Sequence, residues 1–512
     1  MNFSNIYNQY RVQKILNLVI FSIAIFYSLY LMNYHRWIIL SPWQFEYREG
    51  AMLIQVGGML QGLSNFSFEN LPIYFNPYGS LFNEVARVFA SVLGNTFSVL
   101  RLVSGIAIIL SSGIIWFVTY KLSRDFIFSF ILTIGFYLQS LFFVIPQARP
   151  DAMGALFFIL GFAVAELIPL GLLSSALVFT FAMIGGFFGK AYFIFIGPIA
   201  FSYWIIFKDW KRGLAFSLLF GLLGILAIFI TNYFSPGYIS SAMFTTLANS
   251  RVTFTSETWA YMLKQGYAFS SINRGLIAIL CAAGLIYVFN RFKGNKHQTH
   301  LSSTFSLYAL ILLALDFIFS IGHGMGNYLT YIIALCTPAL IFTAAACWPK
   351  FKDYPDYTLS LGRLLLLLMT IFVTHNVIGT TGQIKNHNDQ LSAVSATMKG
   401  YSKIYGSPMV AGIIHQLGQT VYDTGHNQYL VAITKFPNIF HLGIPQIKVE
   451  EAYNQYQKEV EAMISHGDFD LIVLDQLQES KSSLLKEKNS RYRLLKQMNV
   501  DFWHLNFWVL KH

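Results

Sequence analysis

Charge is what this sequence has least of. Asp, Glu, Lys and Arg together make up 12% of the chain, about half of the ~25% usual in a soluble domain. A chain so poor in charge cannot cover a water-facing surface, which excludes an ordinary soluble globule. Cysteine is scarce too. Cys281, Cys336 and Cys347 all lie inside apolar runs, and no CxxC spacing occurs. That leaves no readable disulfide framework and no zinc signature. There is no internal repeat and no low-complexity tract. The first apolar run, residues 15–34, lacks a small-residue cleavage site, so it reads as a retained transmembrane helix rather than a signal peptide.

Apolar surface, by contrast, is abundant. Hydrophobic residues make up 55% of the chain and aromatics 17%, with 48 Phe. A surplus of this size has to face a bilayer. The net charge of +11 suggests nucleic acid at first sight, but Lys and Arg sit mostly in short spacers between apolar runs, as membrane orientation requires. No nucleic-acid partner is expected.

Spans of about 20 apolar residues fall at 15–34, 97–120, 126–145, 151–168, 171–187, 189–207, 214–234, 275–290, 302–322, 328–348 and 364–379. This predicts an α-helical polytopic membrane protein with about eleven transmembrane helices. The pair 171–187 and 189–207 has no polar turn between its members. With the amino terminus inside, alternation puts every short basic spacer on the cytoplasmic side: Lys121 and Arg124; Lys208, Lys211 and Arg212; Arg291, Lys293 and Lys296; Lys350, Lys352 and Arg363. A plasma (inner) membrane location follows, with the carboxyl terminus outside.

The outside segments are then 35–96, 235–274 and 380–512. In the first, 50–62 and 78–93 read as helices lying at the interface. The last regains charge. It has helical spacing over 449–466 and strand-like runs at 407–414, 468–475 and 506–511. The expected division is a transmembrane domain, 1–379, and a small extracytoplasmic α/β domain, 380–512.

Four clusters at outer ends carry candidate chemistry. PWQFEYREG holds Glu46, Arg48 and Glu49, carboxylates able to act as a general base, bind a cation or simply form a local ion pair. PQARPDAMG holds Arg149 and Asp151, an anion-binding pair or, for Asp151, an ordinary helix cap. GGFFGKAYF holds Lys190, functional or snorkelling to the interface. GHGMGNYLTY holds His323, Asn327 and Tyr331, which as a loop need no function. All four share one face of the membrane. Cations that suit a phosphate then sit beside acids that suit activation of a hydroxyl.

From EYREG, FNPYGSLF, LRLVSG, ARPDAMGALFFILG, GKAYFIFIGP and GHGMGNYLTY, in order over about residues 15–350, the chain resembles the GT-C superfamily of polyprenyl-phosphate-dependent glycosyltransferases. Its bacterial protein O-mannosyltransferase-like and aminoarabinose transferase-like members are the nearest types. The resemblance implies sugar transfer from a polyprenyl-phosphate donor to a hydroxyl of a glycan, lipid or protein acceptor, with membrane lipid around the tail. It implies a catalytic acid in the first outer loop, commonly one of an adjacent Asp-Glu pair. Arg48 stands here in place of the first acid, so the base is divided between Glu49 and Glu46. Asp151 matches the second family acid, and Lys190 matches the Lys near the donor phosphate. Some GT-C enzymes use a divalent metal and others do not, so a metal stays open. The competing expectations are a secondary transporter, which usually carries repeats and midplane sites, and a GT-C-like scaffold without activity.

Overall fold

The computed structural model describes residues 3–63, 76–235, 238, 255–292, 305–320, 328–351, 356–426, 446–476, 478–486 and 490–511. The chain is a helical membrane protein with a small carboxyl-terminal sheet. In order the helices are α1 Phe3–Leu40, α2 Tyr47–Leu60, α3 Leu81–Leu93, α4 Phe97–Ser123, α5 Phe126–Ser140, α6 Asp151–Leu167, α7 Leu172–Ala182, α8 Ile196–Phe207 and α9 Trp210–Phe234. Then follow α10 Ser256–Ile272, α11 Arg274–Phe292, α12 Phe305–Ser320, α13 Tyr328–Cys347, α14 Asp356–Phe372 and the short α15 Thr374–Val377.

Among the described residues, four helical stretches are by themselves long and apolar enough to cross a membrane: Arg11–Leu40, Phe97–Ser123, Trp210–Phe234 and Ile332–Phe351. Two bent pairs qualify jointly, one breaking by 81° between α10 and α11 and one by 44° after α14. Shorter apolar helices accompany them in the bundle. The outer faces are greasy. Helix α9 exposes Leu218, Leu222, Ile225 and Phe229, a pattern that only lipid tolerates. Polar caps start several helices: Thr96 accepts from the Val99 amide, and Asp125 from that of Phe128, satisfying donors that a first turn leaves open. Asp125 also binds Arg363 (2.6 Å) and the Trp348 indole (2.8 Å), tying α5, α13 and α14 together at the end of the bundle remote from the acidic loop.

The carboxyl-terminal elements are α16 Thr381–Met398, β1 Ile404–Gly406, α17 Ala411–Gln416, α18 Gln446–His466, β2 Leu471–Leu474, α19 Glu479–Lys486, β3 Tyr492–Val500 and β4 Trp503–Leu510. The sheet order is β1-β2-β4-β3, with β1 and β2 parallel and the other pairs antiparallel. Strand alternation splits β2 between two cores. Leu471 and Val473 join Leu391, Val394 and Met398 of α16, while Ile472 and Leu474 join Val460 and Ile464 of α18. Ile54 of α2 is buried in the first of these cores, so the sheet layers sit directly on the loop that follows α1.

Several expectations need correction. Residues 407–414 form a 3-10 turn, Pro408–Val410, and α17 rather than a strand. The apolar run has no period to separate strand from helix, and Pro408 at the first helical position favours the turn. The strand lies just before it, as β1. The segment 235–274, expected to be a loop, contains α10, and the polar sequence of that helix gives no span signal. Helix α16 and strand β3 are additional elements.

Candidate active site

Residues 41–49 form a strap between α1 and the first turn of α2. Beneath it lies Arg101, in the second turn of α4, fully buried. Its guanidinium donates to the carbonyls of Ile38, Ser41 and Trp43 and pairs with Glu49 by two parallel bonds, Nε–Oε1 2.8 Å and NH2–Oε2 2.7 Å. The Phe45 and Phe97 rings lie 4.4 and 5.3 Å from the guanidinium carbon. Glu49 also accepts from the backbone amides of Phe45 (2.6 Å) and Ala148 (2.8 Å). All four acceptor positions of that carboxylate are therefore occupied. Burial disfavours its charge, but the Arg101 guanidinium and the four hydrogen bonds outweigh this and hold its pKa below the ordinary value. Glu49, one of the two carboxylates between which the sequence divides the base, is thus enclosed by its partners.

Glu46 is different. It stands at the N-cap of α2 without capping it, and its side chain is 15% exposed. One oxygen meets Arg149 NH1 at 2.8 Å, and the other lies 3.5 Å from Arg48. Arg149, 1% exposed, also lies 3.4 Å from Asp151 through its Nε, which makes no well-aligned hydrogen bond. Burial opposes its charge, but Glu46 and Asp151 overcome the penalty and raise its pKa. Asp151 begins α6 and is fully buried. It accepts from Lys190 Nζ (2.7 Å) and the Tyr192 hydroxyl (2.9 Å), so its carboxylate faces the cluster, and no side-chain cap is formed at that helix start. Lys190 lies 5.3 Å from the Tyr78 ring centroid and 5.1 Å from that of Tyr192. It therefore turns into the protein instead of snorkelling outwards.

The result is one connected chain of charge: Arg48, Glu46, Arg149, Asp151, Lys190. Among the described residues, three cations and two carboxylates meet in a mostly buried setting. Cations gathered in this way suit an anion. The sequence clusters around Glu46, Arg149 and Lys190 are brought together here. His323 and Asn327 lie outside the described residues, and Tyr331 lies on α13 with its side chain outside the description.

Lys190 is placed by a break in the helices. After α7 the backbone runs through a π turn, Met183–Phe187, then a 3-10 turn, Ala191–Phe195, before α8 begins. The loop 76–81 is laced to this break: Gly79 N donates to Gly189 O (2.9 Å) and Leu81 N to Phe188 O (2.7 Å). A Cβ at Gly79 would lie 2.1 Å from the Phe188 carbonyl oxygen, so only glycine permits this approach.

The sequence reading did not single out Arg101, Tyr78 or Tyr192. Arg101 carried a signal, a charge inside an apolar span. The two tyrosines are hidden among 29. Among the described residues, a divalent metal finds no fitting site. Glu46 and Asp151 are held by cations, and among the described residues no group of three His, Cys, Asp or Glu side chains gathers to hold one.

No protein-family model matches the chain, and no curated protein matches it in sequence. Solved structures do match. ArnT from Cupriavidus metallidurans bound to undecaprenyl phosphate is 11% identical, with a TM-score of 0.57 over 96% of this chain and 97% of that one. The apo state of the same protein is 11% identical, with a TM-score of 0.45 over 95% and 96%. ArnT is a GT-C aminoarabinose transferase. The chain therefore has a GT-C-like fold, as its motif order suggested.

Proposed function

We propose that this protein is a glycosyltransferase that moves a sugar from a polyprenyl-phosphate donor to an acceptor hydroxyl at the outer face of the membrane. The observation that carries this reading is the charge chain from Arg48 to Lys190, which brings Arg149 and Lys190 together beside Glu46. It is supported by the fold shared with a protein solved with undecaprenyl phosphate bound. In this reading the donor phosphate lies against Arg149 and Lys190. The acceptor is a glycan, lipid or protein.

The acceptor oxygen attacks the anomeric carbon while its proton passes to a carboxylate. The bond from that carbon to the phosphate oxygen breaks, and the lipid phosphate leaves with its charge met by the two cations. A single displacement inverts the anomeric centre. Of the two sequence candidates, Glu46 is assigned the proton, because Glu49 has no acceptor position left. Arg149, bonded to Glu46, links the base to the phosphate site, and Asp151 with Tyr192 orients Lys190.

The test is a membrane assay with a panel of polyprenyl-phosphate sugars, following release of the lipid phosphate. The parent should turn over at least one donor. Glu46→Gln should lose roughly 10²–10⁴-fold in rate and remain folded in the membrane. Full activity of Glu46→Gln, or release from no donor on the panel, would count against the assignment.

A further inference from the structure

Gln44, two residues before Glu46, is fully buried, and its entire amide is spent on the carboxyl-terminal elements. Nε2 donates to the carbonyls of Pro408 (3.1 Å) and Met409 (2.7 Å), and Oε1 accepts from the Gly412 amide (2.9 Å). The carbonyl of Gln44 itself takes a bond from His387 Nε2 (2.8 Å), whose Nδ1 meets Asp501 at 2.6 Å. Close by, Ser41 donates to Asn388 and the Trp43 indole to Ser392. The space around the amide is cut to fit. A Cβ at Gly412 would lie 2.4 Å from Gln44 Oε1, and one at Gly50 would lie 2.5 Å from it.

The strap is therefore gripped from two sides: from below by Arg101, through Glu49 and the carbonyls of Ser41 and Trp43, and from above by Pro408–Gly412 and His387. Glu46 lies between the grips. We propose that Gln44 and His387 are positioning residues, by which the carboxyl-terminal elements hold the Glu46 carboxylate at its working place. This rests on the reading of Glu46 as the base. A displacement of about 1 Å at a reacting group can cost on the order of 10²-fold in rate, so loosening one grip should act on turnover while leaving the phosphate contacts in place.

The test uses the full-length protein and two readouts, with undecaprenyl phosphate as the binding probe. Gln44→Leu removes the Pro408–Gly412 part of the upper grip and leaves the His387 bond to the backbone carbonyl. Gly412→Ala removes no hydrogen-bonding group but presses a methyl against Gln44 Oε1 and the Phe97 ring, 2.4 and 2.5 Å away. Gly113→Ala, where an added Cβ meets nothing within 4 Å, is the control. In both test variants, amide exchange over 41–49 should speed up, turnover should fall about 10²-fold, and affinity for undecaprenyl phosphate should stay within twofold. The control should match the parent. Unchanged exchange over 41–49 would overturn the clamp whatever the chemistry. Equal losses of turnover, probe affinity and thermal stability would overturn it in favour of a general structural role. Faster exchange with unaltered turnover would also overturn it. If the assignment of the base is what fails, Glu46→Gln will turn over normally while the exchange effect persists.

Discussion

Glu49 and Arg101 face each other in a fully enclosed bidentate pair, 2.8 and 2.7 Å, with neither side chain exposed. Breaking such a pair by removing one member leaves an uncompensated buried charge, at a cost of about 3–5 kcal/mol. Arg101→Met should therefore lower the thermal midpoint sharply. Glu49→Gln should do the same, because its amide nitrogen points a donor at other donors. A double variant, Glu49→Leu with Arg101→Leu, should recover part of the loss. Glu46→Gln should lower the midpoint less than Glu49→Gln, because Glu46 is partly exposed and meets Arg149 by a single bond. Thermal unfolding of the detergent-solubilised proteins decides this, and equal midpoints for Glu49→Gln and Glu46→Gln would refute the separation of roles.

At the other end of the charge chain, Lys190→Met should weaken binding of the lipid-phosphate donor and slow its departure, with insertion spared because Met suits a bilayer. Arg149→Lys should also be harmful, since a planar fork reaches Glu46 and Asp151 together and a point charge does not. Donor affinity and turnover measured side by side are the check. Parental values of both in Lys190→Met would remove that residue from the phosphate site.

Acid should expose the buried pair. Burial pushes Glu49 up, but Arg101 and the backbone amides pull it further down, so the folded protein holds this carboxylate below its ordinary value near 4.5. A depressed folded pKa gives stability that is complete above the unfolded value and is lost as pH falls through the folded one. The parent should therefore lose stability below about pH 4.5 more steeply than the double Leu variant, which has no group there to titrate. Thermal midpoints from pH 6 to pH 3 measure it, and parallel curves for the two proteins would contradict it.

Orientation has its own test. Tags at residues 210 and 295 should report from the cytoplasm and tags at 240 and 450 from outside, as the one-sided basic spacers require. A cytoplasmic signal from 450 would put the sheet, and Glu46 with it, on the wrong side for a donor presented outside.

The sequence made the helices legible because apolar length is a local property, and the acidic and basic clusters stood out as charge in an apolar background. Thus Glu46, Arg149, Asp151 and Lys190 could be named in advance, and the structure joins them by salt bridges. Which of two nearby carboxylates is enclosed could not be read. It depends on Arg101, 52 positions from Glu49, and on the Ala148 amide, 99 positions away. Gln44 and His387 were invisible for the same reason: a glutamine in a loop and a histidine in a polar helix carry no pattern until the partners are placed. The strand expected at 407–414 failed because a short, wholly buried apolar run looks alike in either conformation.

The grip on Gln44 joins residues 364 and 368 positions apart in the chain. A ribosome adding about 5–20 residues per second needs roughly 20–70 s to make that interval. From the point where Ala148 has been made, the strap can bind Arg101 and the Ala148 amide but not its upper partners. The nascent chain therefore spends most of its synthesis with the acidic loop half-secured, and the loop is held from both sides only once the last fifth or so of the polypeptide, from Pro408 on, has been made and docked. Truncation before Pro408 would leave a bundle in which the strap is held by Arg101 and the Ala148 amide but lacks the partners of the Gln44 amide.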